Sequence, residues 1–297
     1  MSVVSSARPT DAAPGGRREQ MVDVGGRRLR VVRAGPASDR PLVVLEHGAF
    51  GCASDWAVVQ ERLAAKGLAS LAYDRAGLGR SEPGPTPRDG HAIVADLAAV
   101  LRELQEHGPF VLVGHSMGGL MVRLYALTHT RQVLGVVMVD AVTPDVITNP
   151  IGEKGVYAFS RILGWVSQGA RLGMMRPVAA VAGDRIGLPR DASAEKRRIH
   201  GSASHARWAA EEVGQWRATS DQARAADFPP SMPIAVITAG AENTVTALKE
   251  IQSVPALASQ NGYIEHVAGA GHANLLGRRF ADPVVRGVEH VLATVHR

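Results

Sequence analysis

Three short segments of this 297-residue sequence carry residue types that together could perform acyl transfer. The first is Gly114-His115-Ser116-Met117-Gly118, which follows the apolar run Phe110 to Val113 and precedes a helix-like segment opening at Gly119. That order reads as a strand-to-helix elbow, a sharp turn that lifts a serine hydroxyl above the end of a sheet. Gly114 and Gly118 are the small residues such a turn needs where backbone and helix crowd together. A serine hydroxyl is a weak nucleophile at neutral pH, so the turn matters only if a base and an oxyanion site accompany it.

The second segment, His47-Gly48-Ala49-Phe50-Gly51, follows another apolar run, Leu42 to Glu46. A tetrahedral oxyanion needs two preorganised N–H donors about 3 Å away. Met117 offers one from the first turn of the elbow helix, whose dipole favours negative charge, and Ala49 is the choice for the other. The plain alternative for this segment is an ordinary glycine turn. The third segment, Gly269-Ala270-Gly271-His272, follows the strand-like Tyr263 to Val267, and its glycines allow an imidazole to be brought over the serine. His272 is therefore preferred as the base among eleven histidines. His107, His129 and His290 fall on helical stretches and read as surface residues, while His47 and His115 read as packing or loop-shaping residues.

The elements that must position these groups are visible as hydrophobic patterns. Met21 to Val24 and Arg28 to Val32 flank Gly25-Gly26-Arg27 and predict a hairpin. Leu42 to Glu46, Leu68 to Tyr73, Phe110 to Gly114, Leu134 to Asp140 and Ile234 to Thr238 are short aliphatic runs of the kind buried on both faces of a parallel sheet. Between two of them Ile93, Leu97, Val100, Leu101 and Leu104 form one apolar helical stripe. Alternation of this kind predicts an α/β fold with a mostly parallel, doubly wound sheet.

The alternation stops after Asp140 and resumes at Ile234, with helix-like pieces at Tyr157 to Val166 and Ser204 to Arg217 between. A structureless loop of that length is implausible in a compact domain, so the stretch is expected to be an inserted helical cap over the carboxyl ends of the strands. The expected division is a flexible arm over residues 1–20, a core over 21–142 and 229–297, and a helical cap or lid over 143–228. Met174, Met175, Trp165, Trp208 and Trp216 are candidates to line a lipophilic pocket beneath it, or else to form the cap's own core.

Composition narrows the function classes. The single cysteine, Cys52, can form neither an internal disulfide nor a cysteine-based metal cluster. The formal charge of +5 lies mostly near the start, where residues 1–33 hold seven arginines against Asp11, Glu19 and Asp23. With only 4% aromatic residues and no stacking motif, nucleic-acid binding is not expected. Residues 2–20 lack the apolar core of a secretory signal, and the longest apolar runs, such as Val133 to Val139, are far shorter than the roughly 20 residues that span a bilayer. A cytoplasmic protein with no membrane span is expected. No feature specifies an oligomeric state.

The elbow, the His-Gly turn, the late histidine and Asp74-Arg75-Ala76-Gly77-Leu78-Gly79-Arg80-Ser81 together resemble the α/β-hydrolase superfamily, from about residue 21 to the C-terminus. The last of these matches a structural loop that the family carries after its fourth strand. The resemblance implies an eight-stranded, mostly parallel sheet, a Ser, acid and His catalytic set, and neither metal nor cofactor. It does not fix the substrate.

One position departs from the family pattern. The usual acid is an aspartate shortly after the strand that here runs Ile234 to Thr238, and the matching segment places Asn243 in that slot. An amide cannot stabilise an imidazolium by charge. Asp140 is the preferred acid, because some family branches place theirs at the end of the preceding strand; many relatives instead keep an aspartate there to anchor the cap. Glu242, one position from the usual slot, is the alternative, and an incomplete catalytic set is the third. Because the nucleophile position holds serine, dehalogenase and epoxide hydrolase chemistry through an alkyl-enzyme ester is disfavoured. The leading expectation is hydrolysis of a small or medium lipophilic carboxylic ester through an acyl-enzyme on Ser116. Lactone or carbon–carbon bond hydrolysis with the same set, and a non-catalytic hydrolase-like binding protein, are the alternatives.

Overall fold

In strand β3 (Leu42–Glu46) every side chain is buried, on both faces. Such a strand has to lie inside a sheet that is covered on both sides. The computed structural model describes residues 16–171, 184–241 and 246–294. It contains β1 (Arg18–Asp23), β2 (Arg28–Ala34), β4 (Ser70–Tyr73), β5 (Phe110–His115), β6 (Val133–Val139), β7 (Ile234–Gly240) and β8 (Gly262–Ala268) in addition to β3. These form one eight-stranded sheet in the order β1-β2-β4-β3-β5-β6-β7-β8. β1 and β2 are antiparallel to their neighbours, and all pairs from β4 to β8 are parallel.

The two-residue period of the strands divides the core into two layers. Val43, Leu45, Val111, Val113, Val137 and Val139 pack on one face with α1 (Ala57–Ala65) and the C-terminal helix α10 (Asp282–Thr294). Val44, Leu112, Val136 and Met138 pack on the other with α2 (Gly90–Glu103) and α3 (Gly118–Thr128). Each fully buried aliphatic side chain contributes on the order of 1.5–3 kcal/mol relative to an exposed one. The helix α2 starts where Asp89 accepts a hydrogen bond from the Ala92 N–H at 3.0 Å.

Between β6 and β7 the described residues contain helices and no strand: α4 (Pro144–Thr148), α5 (Pro150–Arg171), α6 (Arg190–His200), α7 (Ala203–Gly214) and α8 (Trp216–Ala223). α5 packs on α7, and α8 packs on α2 and α3, so this helical insertion is joined to the layer that carries the elbow. Among the described residues no helix is long and apolar enough to cross a membrane.

The start of the sheet corrects one boundary. Residues 18–20, expected within the flexible arm of residues 1–20, belong to β1 and pair with residues 31–33 of β2. β1 is an edge strand in which only Val22 is buried, so its sequence lacks the apolar alternation of a core strand. Residues 1–15 lie outside the described residues.

Candidate active site

Ser116 follows β5 directly in the conformation that the elbow requires, with φ of 54°. For a non-glycine residue this left-handed conformation costs roughly 1 kcal/mol or more, so surrounding bonds must fix it. The Ser116 N–H donates to Val139 O at 3.1 Å, and its carbonyl accepts from Gly119 N at 3.0 Å and Val142 N at 2.8 Å. Glycine is obligatory at position 118, because a Cβ there would lie 2.5 Å from Glu46 O. The elbow is thus wedged against the strand that leads into the His-Gly turn.

Asp140, the residue after β6, also has positive φ, at 40°. Its Oδ2 accepts a hydrogen bond from His272 Nδ1 at 2.6 Å. Its Oδ1 receives Lys249 Nζ at 3.1 Å and the Ala239 N–H at 3.3 Å. Burial alone would raise this carboxyl, but the His272 hydrogen bond and the charges of His272 and Lys249 together hold it well below the usual carboxylate range. Asp140 is therefore an anion that can only accept, which places the proton of a neutral His272 ring on Nδ1 and leaves a lone pair on Nε2. Glu242 and Asn243, the other acid candidates, lie outside the described residues.

His115 supports this arrangement from below. Its Nε2 donates to the His272 carbonyl at 2.9 Å, and the two rings lie 4.7 Å apart between centroids. Burial, reinforced by the charge of His272, lowers His115 to about 3, so it stays a neutral donor. It shapes the loop that carries His272.

The His-Gly turn approaches the serine closely, since a Cβ on Gly48 would lie 2.9 Å from Ser116 Cβ. Among the described residues neither the Ala49 nor the Met117 amide is engaged by a backbone or side-chain acceptor in a turn or cap. The Met117 side chain is buried and receives the indole N–H of Trp216 on its sulfur.

These groups border one cavity of about 530 Å³. Ser116, His115 and His272 lie on its wall with Gly48, Ala49 and Phe50; Val142, Phe159, Ile186 and Trp216 supply apolar surface. A polar side is formed by Arg185, His200 and the Lys196–Asp55 ion pair. Of the expected lining residues, Trp216 reaches the cavity, whereas Trp208 packs with Leu78 and Ala209, and Trp165 is exposed. Met174 and Met175 lie outside the described residues. Among the described residues no group of three or more His, Cys, Asp or Glu side chains could hold a metal ion.

The family model for the alpha/beta hydrolase fold matches residues 41–168, the span from β3 through the elbow into the insertion. Over that span the chain matches the α/β-hydrolase superfamily, and its eight-stranded sheet has the α/β-hydrolase fold. This hydrolase-fold chain is 37% identical over 122 residues to a non-heme chloroperoxidase of Streptomyces lividans, covering 40% of this chain and 44% of that protein. It is 36% identical over 120 residues to epoxide hydrolase A of Mycobacterium tuberculosis, covering 40% of this chain and 37% of that protein. The chain thus matches less than half the length of these curated relatives. Among solved structures, an esterase from Thermogutta terrifontis superposes with a TM-score of 0.67 at 18% identity, over 94% of this chain and 100% of that one. That likeness is one of fold.

Three features of this α/β-hydrolase site have no signal in the sequence. Lys249 meets Asp140 from 109 residues away, and Arg75 meets Glu212 from 137 residues away. His205 joins Gly79 to Phe50 across comparable separations. No local motif links the members of these pairs.

Proposed function

We propose that this protein is a serine hydrolase that cleaves a carboxylic ester through an acyl-enzyme on Ser116. The observation that carries this reading is the His272–Asp140 hydrogen bond beside a cavity that also holds Ser116. His272 Nε2 takes the Ser116 proton as Oγ bonds to the acyl carbon, and the carbonyl electron pair moves onto oxygen. The Ala49 and Met117 N–H groups stabilise that oxyanion, as preorganised donors do in acyl transfer. Collapse of the adduct breaks the bond to the alcohol oxygen, which receives the proton from His272. Water, deprotonated by the same imidazole, then attacks the acyl-serine and releases the acid. Asp140 stays ionised throughout and stabilises the imidazolium. In this reading the helical insertion acts as a cap over a small-molecule substrate, and the apolar wall of Val142, Phe159, Ile186 and Trp216 favours a lipophilic acyl or alcohol group.

The name of the Mycobacterium relative suggests epoxide opening, but the nucleophile argues against it. Attack by Ser116 on an epoxide carbon would leave an ether, and a hydroxide has no acyl carbon to attack in order to release it. Ester, lactone and ketone substrates all present the carbonyl that this set can use, and esters require the least of it.

A fluorophosphonate probe tests the reading. Stoichiometric labelling of the folded protein, lost in Ser116→Ala, together with turnover of a short p-nitrophenyl ester, is the expected result. A folded wild-type protein inert to both would overturn it and leave a binding protein with a hydrolase fold.

A further inference from the structure

Side chains from outside the His-Gly turn reach its carbonyls, in addition to the His47 Nδ1 and Gly51 N–H groups that meet Gly48 O at 2.8 and 3.2 Å within it. Arg75 Nη1 donates to His47 O at 2.6 Å, and Arg75 Nη2 donates to Gly48 O at 3.0 Å. His205 Nε2 donates to Phe50 O at 3.3 Å, while His205 Nδ1 accepts from the Gly79 N–H at 3.0 Å, which fixes the neutral tautomer. Phe50 itself sits at φ 57°, a conformation that needs such support.

The insertion helix α7 carries one of these donors and engages the other, Arg75, which also pairs with the buried Glu46 of β3 at 2.6 Å. His205 lies in its first turn, and Glu212 in its last turn receives Arg75 Nε at 3.0 Å and Nη2 at 2.8 Å. Arg75 and Glu212 are completely buried. Burial opposes the Arg75 charge, but the carboxylates of Glu212 and Glu46 more than offset this and keep it firmly protonated. In a trans peptide the C=O and the following N–H point in opposite directions. Fixing Gly48 O on Arg75 therefore fixes the Ala49 N–H on the face away from Arg75. A Cβ on Gly48 would touch Ser116, which shows how near that turn lies to the nucleophile.

We propose that α7 is the positioning element of the oxyanion site: Glu212, acting through Arg75, and His205 aim the Ala49 N–H, so the helical insertion is a working part of the acyl-transfer machinery. The proposal rests on the serine hydrolase reading above. Glu212, Arg75 and His205 are positioning residues in it and touch no reacting atom. An insertion that merely covered the cavity would need no bonds to the carbonyls of this turn.

The test compares His205→Leu, His205→Gln and Glu212→Gln in the full chain. Three readouts are kcat and KM on a p-nitrophenyl ester, affinity for an alkyl boronic acid, and affinity for an inert N-alkyl amide of the same shape. The boronic acid becomes tetrahedral on Ser116 and places an oxygen where the oxyanion forms; the amide stays planar. Loss of one aimed donor predicts that His205→Leu and Glu212→Gln lower kcat about tenfold and weaken the boronic acid by the same factor. KM and amide affinity should stay within about twofold, since a transition-state interaction is what has been lost. His205→Gln, which can still accept from Gly79 and donate to Phe50, should recover most of the loss. Folded His205→Leu and Glu212→Gln variants with unchanged kcat and boronic acid affinity overturn the proposal, as does a loss of thermal stability alone. If His205→Leu and Glu212→Gln both fail to fold, His205→Asn, polar but too short to reach both partners, carries the same comparison with His205→Gln. A wild type that neither turns over the ester nor binds the boronic acid overturns the hydrolase reading itself, a separate outcome from wild-type activity that the variants leave untouched.

Discussion

Asp140 and His272, 132 positions apart, meet in a single 2.6 Å hydrogen bond. The carboxylate stands at the end of β6, and β7, which would carry the more usual acid, lies beside it in the sheet. Neighbouring parallel strands end at the same edge, so a carboxylate can move from one to the next and still reach the same imidazole. Lys249 and the Ala239 N–H engage the other oxygen and hold the group in place. Asp140 thereby has both of its oxygens committed, one to the ring and one to its own support.

Asp140→Asn should lower kcat on a p-nitrophenyl ester by about 10²–10⁴-fold, because an amide orients the ring but cannot stabilise the imidazolium. Glu242→Gln should change it little. Steady-state kinetics on the two variants decide the point, and an Asp140→Asn enzyme as active as wild type would sink the assignment.

Gly48 is a second sensitive position. A Cβ there would lie 2.9 Å from Ser116 Cβ and 3.2 Å from His115 Nδ1, neither of which is the free end of a flexible chain. Gly48→Ala should therefore displace the turn or the elbow and lower kcat by about tenfold or more, as a small misplacement of reacting groups does. Fluorophosphonate labelling rates on a variant that melts near the wild-type temperature check it; wild-type rates would show that the approach is looser than these distances.

How much of this was legible in the sequence differs by element. β3, β5 and β7 lie under helices on both faces, so their aliphatic runs stand out locally. β1 does not stand out, because an edge strand with one buried side chain looks like any polar segment. The segments around Ser116, Ala49 and His272 are readable because each depends on glycines close in sequence, and the structure gathers all three around one cavity. The choice among Asp140, Glu242 and Asn243 had no such local signal: it is a question of which strand end reaches a distant loop. The Arg75–Glu212 pair is hidden for the same reason, since a glutamate in the insertion reads as a solvated helix face until its partner is known.

Buried neutral histidines set the pH dependence of stability. Burial, with the charge of His272, lowers His115 to about 3; burial, with the charges of Lys196 and Arg75, lowers His205 to about 3. In the unfolded chain each titrates near 6.5. Between these values the unfolded state binds more protons than the folded one, so stability is highest above about pH 6.5 and falls as pH falls toward 3. Each histidine contributes a slope of about 1.4 kcal/mol per pH unit in that window. His47 and His200, also held well below their ordinary value chiefly by burial, act with the same sign. Urea midpoints at pH 7 and pH 5 should differ clearly, and His205→Gln should reduce the difference; equal midpoints would mean that these rings titrate normally in the folded protein.

Phe159 lines the cavity. It projects from α5, stacks near Trp216 with centroids 6.1 Å apart, and lines the same wall as Ser116. Trp216 is tied to Met117, beside Ser116, so shortening Trp216 would disturb the elbow as well as the pocket. Phe159 has no such tie and is only half-buried, which makes it the cleaner probe of substrate size. Phe159→Ala removes apolar surface that a medium-length acyl chain would cover and opens space for a longer one. On a series of p-nitrophenyl esters, kcat/KM should fall for the chain length that wild type prefers and rise relative to it for longer chains. One buried methylene is worth about 0.8 kcal/mol, so each carbon that changes environment should alter kcat/KM roughly fourfold. A profile that falls uniformly, without a shift toward longer chains, would place the acyl group elsewhere than against α5.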